Sequence, residues 1–298
     1  MRPVDLLLVV VVNCAWGFNF IAGKIGAEEF QPLFFTAIRF FLLLIITLPW
    51  LRPARGYMMP LLRVSFLLGT IHFGMIFIGL HGSGNIGSVA IATQLYVPFS
   101  ALLAFVFLGE RIPFRRFAAI VTAFAGVMII GFDPVVLAHL ASVLWVIGAA
   151  LAMAVATILM RQCPKLGVFR LQAWIALVAA PSLMVLSLIF ETDHLGILKE
   201  SSPRDFWAPL YSAVGASIIG HGTVYYLLGK YPVAVVTPLL LAAPILATIF
   251  GVFWFGDTLG WRLVVGGLIT LVAILVLSTN HSEAKALKRR GTGKPCKE

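Results

Sequence analysis

The chain has 298 residues, of which 60% are hydrophobic and 11% charged, and its formal net charge is +10. Soluble domains carry about 25% charged residues, so the composition excludes a soluble globular protein and indicates an integral membrane protein. The positive charge does not indicate nucleic-acid binding, because its distribution follows the predicted membrane topology.

Apolar segments long enough to cross a bilayer recur along the whole sequence. A helix needs about 20 predominantly apolar residues to span the hydrocarbon core. The predicted spans lie at 4–25, 32–51, 60–80, 87–108, 114–131, 139–160, 171–190, 206–228, 233–255 and 260–279. We therefore predict an all-α integral membrane protein with ten transmembrane helices.

Lys and Arg residues are unevenly divided between the loops on the two sides of the predicted membrane. With the N-terminus inside, 17 of them fall on the cytoplasmic side and four on the opposite side, while Arg39 lies within the second span. By the positive-inside rule, this bias predicts a multi-pass protein with both termini in the cytoplasm.

The ten spans form two sets of five, which predicts a first repeat at 1–137 and a second at 138–280. Because five is odd, the second set enters the membrane inverted relative to the first. The fourth span of each set carries a proline, Pro98 or Pro244, and ends at the pair Gly109-Glu110 or Gly256-Asp257. Inverted repeats are typical of transporters that alternate access around a central site.

The segment 281–298 is polar, basic and poor in apolar residues. Such a segment buries too little apolar surface to fold by itself, so we predict a disordered cytoplasmic tail. One hypothesis is that this basic tail contacts anionic lipid. The alternative is that it is a solvated tail without a function of its own.

Two motifs add to these features: Ala15-Trp16-Gly17-Phe18-Asn19-Phe20, and Pro32-Leu33-Phe34-Phe35-Thr36-Ala37-Ile38-Arg39-Phe40. Together with the two Pro…Gly-acid endings, they resemble the EamA-type branch of the drug/metabolite transporter superfamily over about 4–280. Within it the chain is most similar to bacterial inner-membrane exporters of aromatic and other neutral amino acids, the YddG type. The resemblance implies a central cavity lined by helices 1, 3, 4, 6, 8 and 9, and a place in the bacterial inner membrane.

All 12 Asp and Glu residues lie in loops or at span ends. Proton-coupled exporters of cations keep a carboxylate inside the membrane, where ionisable residues mark proton and substrate pathways. The sequence therefore favours facilitated diffusion. His72 and His221 leave an alternative open, a multidrug or other metabolite exporter coupled to protons through imidazole.

Neutral polar and aromatic residues recur at helical spacing in the middle of several spans. The candidates for substrate binding in the central cavity are Asn13, Trp16, Phe20, His72, Thr93, Tyr96, Ser100, Met153, Ser217, His221 and Tyr225. Amide, hydroxyl and imidazole groups can hold a carboxylate, and aromatic faces attract an ammonium. The predicted partners are therefore small neutral or zwitterionic substrates, bound weakly and with broad specificity.

Each candidate also has a structural interpretation. Hydroxyl groups in membrane helices often bond to their own backbone carbonyls, and buried amides and imidazoles can simply join helices. Arg39 is either a substrate contact or a cation that pairs near the external side. Pro98 and Pro244 either form a pair of gating hinges or merely bend their helices.

Three cysteines form no disulfide or metal framework, and we predict no cofactor, metal or catalytic residue. The sequence contains no recognisable nucleophile–base arrangement, which argues against a membrane enzyme. It also contains no charged ring or carbonyl filter of the kind that channels use. The sequence leaves the oligomeric state open and is compatible with a monomer.

Overall fold

The computed structural model describes residues 1–109, 112–160 and 166–291, with the side chains at 233–234 and 279–291 excepted. In these ranges every regular element is helical and no β-strand occurs. Glu110, at the end of the predicted fourth span, lies outside the described residues, as do two of the three cysteines, Cys163 and Cys296.

The helices of the first half are α1 (Pro3–Phe30), α2 (Pro32–Thr47), α3 (Met58–His81), α4 (Ile86–Leu108) and α5 (Phe114–Gly131). Those of the second half are α6 (Leu140–Met160), α7 (Val168–Phe190), α8 (Trp207–Lys230), α9 (Val233–Phe255) and α10 (Trp261–Gly291). A short helix, His194–Glu200, lies in the loop between α7 and α8.

Within the described ranges, nine helices are long and apolar enough to cross a membrane. The remaining one, α8, has the length but is less apolar, because it contains several serines and glycines, two adjacent tyrosines and His221. It lies where the sequence predicted the eighth span. The prediction of an all-α, multi-span membrane protein is confirmed.

Large apolar side chains cover much of the outer surface of the bundle. Phe107 is 72% exposed, Phe190 73% and Phe253 84%. Water would disfavour such a surface, whereas lipid tails are as apolar as these side chains. The exposed surface is therefore that of a protein embedded in lipid.

The two halves pack with the same pattern of helix contacts. α5 packs along α10, and α2 packs along α7. α1 contacts α8 and α9, and α6 correspondingly contacts α3 and α4. Exchanging each helix for the one five places along maps these contacts onto one another, as expected of a repeated domain. The boundaries at 1–137 and 138–280, and the inversion between the repeats, stay predictions.

α4 and α9 are each interrupted at the same place. α4 consists of Ile86–Thr93 and Tyr96–Leu108, and α9 of Val233–Leu239 and Ala242–Phe255. Pro98 and Pro244 each occupy the third position of the second piece. Proline lacks the N–H that would close the helix across the interruption, so the sequence itself accounts for both breaks.

α3 and α8 share a different irregularity, a stretch of π-helix. It covers Phe66–His72 in α3 and Ser212–His221 in α8, and each stretch ends at a histidine. π-helical turns are rare and occur frequently at functional sites. Both occur on the helices that contact α1 or α6, toward the centre of the bundle.

Two acidic side chains cap helix N-termini on the predicted external side. Asp257 Oδ2 accepts a hydrogen bond from Ile86 N–H (2.7 Å) at the start of α4. Glu191 accepts from Leu33 N–H (2.7 Å) and Phe34 N–H (2.9 Å) at the start of α2. Carboxylates are favourable there because the first N–H groups of a helix lack intrahelical partners. The cap by Asp257 agrees with a structural role for that acid.

α10 continues as a helix to Gly291. The predicted boundary at residue 281 and the predicted disorder of the tail stay predictions. Ala, Leu, Glu, Lys and Arg dominate residues 281–291, and all of them favour helix. Residues 292–298 lie outside the described part of the chain.

α5 and α10 approach closely through two glycines. A Cβ atom at Gly126 would lie 2.7 Å from the carbonyl oxygen of Gly266 and 2.8 Å from the backbone nitrogen of Thr270. Both contacts are with backbone atoms, so a side chain at Gly126 would push the two helices apart. Small residues at such contacts are how membrane helices associate.

We expect Gly126→Ala to destabilise the protein by about 1–3 kcal/mol, the usual range for overpacking. The measurement is thermal unfolding of the purified protein in detergent. Gly131→Ala is the matched control on the same helix, because a Cβ there meets nothing within 4 Å. Equal unfolding temperatures for the two variants would contradict close packing at Gly126.

Candidate functional site

Trp16 on α1 contacts α8 at the centre of the bundle. Its indole N–H donates to the carbonyl of Ala216 (3.1 Å), and its ring centroid lies 5.2 Å from that of His221. Gly220 makes this approach possible, since a Cβ at that position would overlap the indole. Trp16 and His221, both predicted site residues, are therefore direct neighbours.

Arg39 on α2 lies beside this pair and is 1% exposed. Its Nη2 donates a hydrogen bond to the hydroxyl of Ser217 (3.2 Å). That hydroxyl in turn donates to the carbonyl of Ser212 (3.2 Å), inside the π-helical stretch of α8. The structure thus joins the predicted site residue Ser217 to the intramembrane cation.

Three phenylalanine rings surround the Arg39 guanidinium. Its Cζ lies 4.9, 4.6 and 5.3 Å from the ring centroids of Phe40, Phe73 and Phe77. The faces of aromatic rings attract a cation within about 6 Å. Phe73 and Phe77 were not among the predicted site residues, and Phe40 was noted only as part of a motif. The i, i+4 spacing of Phe73 and Phe77, starting directly after His72, was a usable signal.

His72 is 6% exposed and connects α3 to α6. Its Nδ1 lies 2.8 Å from the carbonyl oxygen of Ala149. A carbonyl only accepts, so Nδ1 carries a proton, and Nε2 of a neutral ring remains an acceptor. His72, His221 and Arg39 lie close enough for electrostatic interaction. The centre thus gathers three basic side chains.

Asn13 lies one helical turn from Trp16 and bonds to α9. Its Nδ2 donates to the carbonyls of Val9 (2.8 Å) and Leu239 (3.0 Å), and its Oδ1 has no hydrogen-bond partner. The carbonyl of Leu239 is free for this contact because α9 breaks immediately after it. Asn13 therefore joins α1 to the broken helix, and its role toward substrate stays a prediction.

The predicted site residues of α4 mainly form hydrogen bonds with backbone carbonyls of their own helix. The Thr93 hydroxyl donates to the carbonyl of Val89 (2.8 Å), and the Ser100 hydroxyl donates to that of Tyr96 (2.6 Å). The Tyr96 side chain packs against the main hydrophobic core. These hydrogen bonds to the residues' own helix match the structural interpretation of Thr93 and Ser100. Among the described residues, no hydrogen bond joins either side chain to Arg39.

The remaining candidates lie around this centre. Phe20 packs against the main hydrophobic core, and Met153 packs against a second core to which α2, α3, α6, α7 and α8 contribute. Tyr225 is 51% exposed and lines a cavity of about 440 Å³ at the end of the bundle that the charge bias assigns to the cytoplasm. The other residues lining this cavity are Trp50, Arg52, Gly167, Val168, Phe169, Arg170 and Gly222.

This cavity ends next to the centre, since Gly222 directly follows His221. A second cavity, of about 460 Å³, opens sideways between α1, α8 and α9, with Cys14, Phe18 and Phe250 among its lining residues. Neither cavity is lined by Ser217, which is 2% exposed, and the predicted central cavity stays a prediction.

Polar contacts tie the helix ends together on both sides of the centre. On the predicted cytoplasmic side, Asp5 accepts a hydrogen bond from the Tyr231 hydroxyl (2.6 Å) and lies 3.6 Å from the ammonium of Lys230. On the predicted external side, Lys24 donates to the carbonyl of Ser83 (2.8 Å) and lies over the Phe255 ring. In the described ranges, no group of three or more His, Cys, Asp or Glu side chains could hold a metal ion.

Comparison with known proteins agrees with this fold. The model of the EamA-like transporter family matches the chain twice, at residues 4–132 and 140–279. A protein of Salmonella typhimurium named "Probable amino-acid metabolite efflux pump" is 27% identical, with 93% of this chain and 95% of that protein covered. An Escherichia coli protein of the same name is 25% identical, with 97% and 98% covered.

A solved crystal structure shares the fold, with a TM-score of 0.60, 17% sequence identity and coverage of 98% of this chain and 100% of that one. The two matches of the family model together span most of the sequence, from the start of α1 into α10. They identify a membrane transporter and not an enzyme. The chain belongs to the EamA-like transporter family.

Proposed function

We propose that this protein exports neutral and aromatic amino acids and related small metabolites across the bacterial inner membrane by alternating access. The observation that carries the proposal is its similarity, over nearly its whole length, to two bacterial proteins named as amino-acid metabolite efflux pumps. The charge bias of the loops supports an orientation with both termini in the cytoplasm.

The chemistry of the centre supports a small substrate that is neutral overall. Trp16, His221 and the three phenylalanine rings around Arg39 offer aromatic surface. Ser217 and His72 offer hydrogen bonds. A substrate with an apolar side chain and a compact polar head matches this mixture.

The positions of the acids support facilitated transport without proton coupling. Asp5 lies in the first turn of α1, and Glu28 and Glu29 lie in its last turn. In a carrier driven by protons, an acid near the middle of the membrane would bind and release the proton. The alternative, proton-coupled export of drugs or other metabolites, would use His72 and His221.

The paired breaks in α4 and α9 support alternating access. Each break lies where Pro98 or Pro244 removes a backbone hydrogen bond, so that the two pieces of each helix can pivot. Because α4 contacts α6 and α9 contacts α1, a pivot on either side moves one repeat against the other. We assign the hinges of the transport cycle to these two breaks.

We expect liposomes containing the purified protein to take up labelled Thr, Met and Phe with saturable kinetics, and empty liposomes not to. An imposed pH gradient leaves the initial rate unchanged, since the spans carry no mid-membrane acid. Uptake that depends on the gradient would instead support the coupled alternative. Failure to transport any amino acid would contradict the proposed substrate.

We expect Pro98→Ala and Pro244→Ala each to lower the maximal transport rate by roughly tenfold, equivalent to about 1.4 kcal/mol on the conformational step. The apparent affinity stays the same, because neither proline lies at the centre. Pro181→Ala is the matched control, since Pro181 also lies inside a helix, α7, but faces outward. Full transport rates in both hinge variants would exclude these breaks as hinges.

A further inference from the structure

Arg39 is a buried cation with most of its donors unused. The side chain is 1% exposed and makes one hydrogen bond, from Nη2 to Ser217. Its Nε and Nη1 have no hydrogen-bond partner in the described structure. Guanidinium carries five N–H donors in a planar fork, so the group retains unmet capacity for an acceptor.

A structural role does not account for this state. Arginines that snorkel place the guanidinium at the membrane surface, whereas Arg39 lies near the middle of α2 and is almost completely covered. Arginines that join helices normally pair with an acid or with several carbonyls. The ion pair between the described residues Asp5 and Lys230 lies at the end of the bundle and does not involve Arg39.

The surroundings offset only part of the cost of burying this charge. Three aromatic faces attract the guanidinium, but a ring carries no net charge and cannot neutralise the cation. A buried charge without a counter-charge is strongly unfavourable. His72 and His221 are basic groups and add no compensating negative charge.

The centre lacks a negative charge, and a transported molecule can carry one. Carboxylate accepts the paired N–H groups of guanidinium, and such charge-assisted bonds are about twice as strong as neutral ones. Ser217 lies within hydrogen-bond distance of Arg39, on the π-helical stretch of α8, and its hydroxyl can reorient toward a second acceptor. The rings of Phe73 and Phe77, whose centroids lie 4.6 and 5.3 Å from Arg39 Cζ, provide apolar surface beside the cation.

We propose that Arg39, together with Ser217, is the binding site for the carboxylate of the substrate. The inference rests on the proposed function and makes it more specific: the free carboxylate, and not the amino group, is what the carrier recognises. No acidic side chain lies at the centre in the described ranges to hold an ammonium. Substrates therefore include organic acids with an apolar side chain, and exclude the matching amines and amides.

The first test uses the unaltered protein and four compounds that share one benzyl side chain. Phenylalanine and 3-phenylpropionate carry a carboxylate, whereas phenylalaninamide and phenethylamine do not. In liposomes that take up labelled phenylalanine, we expect the two acids to compete with similar strength. The amide and the amine should compete at least about tenfold less well, because the charge-assisted hydrogen bonds are lost. Equal competition by phenylalaninamide would overturn the inference.

The second test compares variants of the cation. We expect Arg39→Gln to lose the preference for acids over amides, and Arg39→Lys to keep part of it, because lysine retains the charge without the planar fork. Arg262→Gln is the matched control, since Arg262 also lies over an aromatic ring, that of Trp261, but on the surface. A preserved preference in Arg39→Gln would assign Arg39 a structural role. If that variant fails to fold, the competition series alone decides.

Ligand-dependent thermal unfolding of the purified protein separates this inference from the proposed function. Stabilisation by 3-phenylpropionate but not by phenethylamine, without amino-acid transport, would keep the carboxylate site and refute amino-acid export. Amino-acid transport with equal stabilisation by acid and amine would keep the function and refute the site. Neither transport nor stabilisation would refute both.

Discussion

A lipid bilayer offers no hydrogen-bond partners, and this constraint governs every level of the structure. Backbone groups must be satisfied inside each segment, so the chain folds into helices wherever it crosses the hydrocarbon core. Polar side chains within those helices must find partners among their neighbours. The hydroxyls of Thr93 and Ser100 use their own backbone, and Asn13 uses the carbonyl that the break in α9 releases. Among the described residues, Asn13 Oδ1, Ser65 Oγ and the Nε and Nη1 of Arg39 lack partners, and of these three residues only Arg39 is charged.

The irregular segments occur in corresponding pairs, which indicates that they belong to the repeated unit. α4 and α9 break before a proline, and α3 and α8 carry π-helical stretches that end in histidines. The pairs have different effects. The breaks divide each helix into two pieces, whereas the π-helical stretches contain His72, Ser217 and His221. The irregular segments of the second half of the chain thus lie on the helices that correspond to those of the first half.

The extent of correct prediction differs between the fold and the site, for physical reasons. Hydrophobic length predicted α6 almost to the residue, because the bilayer sets that length directly. The contact between Trp16 and His221 and the bond between Arg39 and Ser217 could not be predicted, since they depend on how α1 and α2 pack against α8. Arg39 was identified from its charge, but only the structure revealed its aromatic surroundings.

The centre contains one permanent charge, and the described structure places no acid opposite it. A substrate held there by its carboxylate and its apolar side chain is attached at two points, and its amino group has no charged partner to fix its direction. Telling mirror images apart requires a third directional contact, because specificity is a difference between two binding free energies. If the substrate binds as we propose, Arg39 among its three phenylalanine rings would select by chemical class, and D- and L-forms of one amino acid would bind almost equally well.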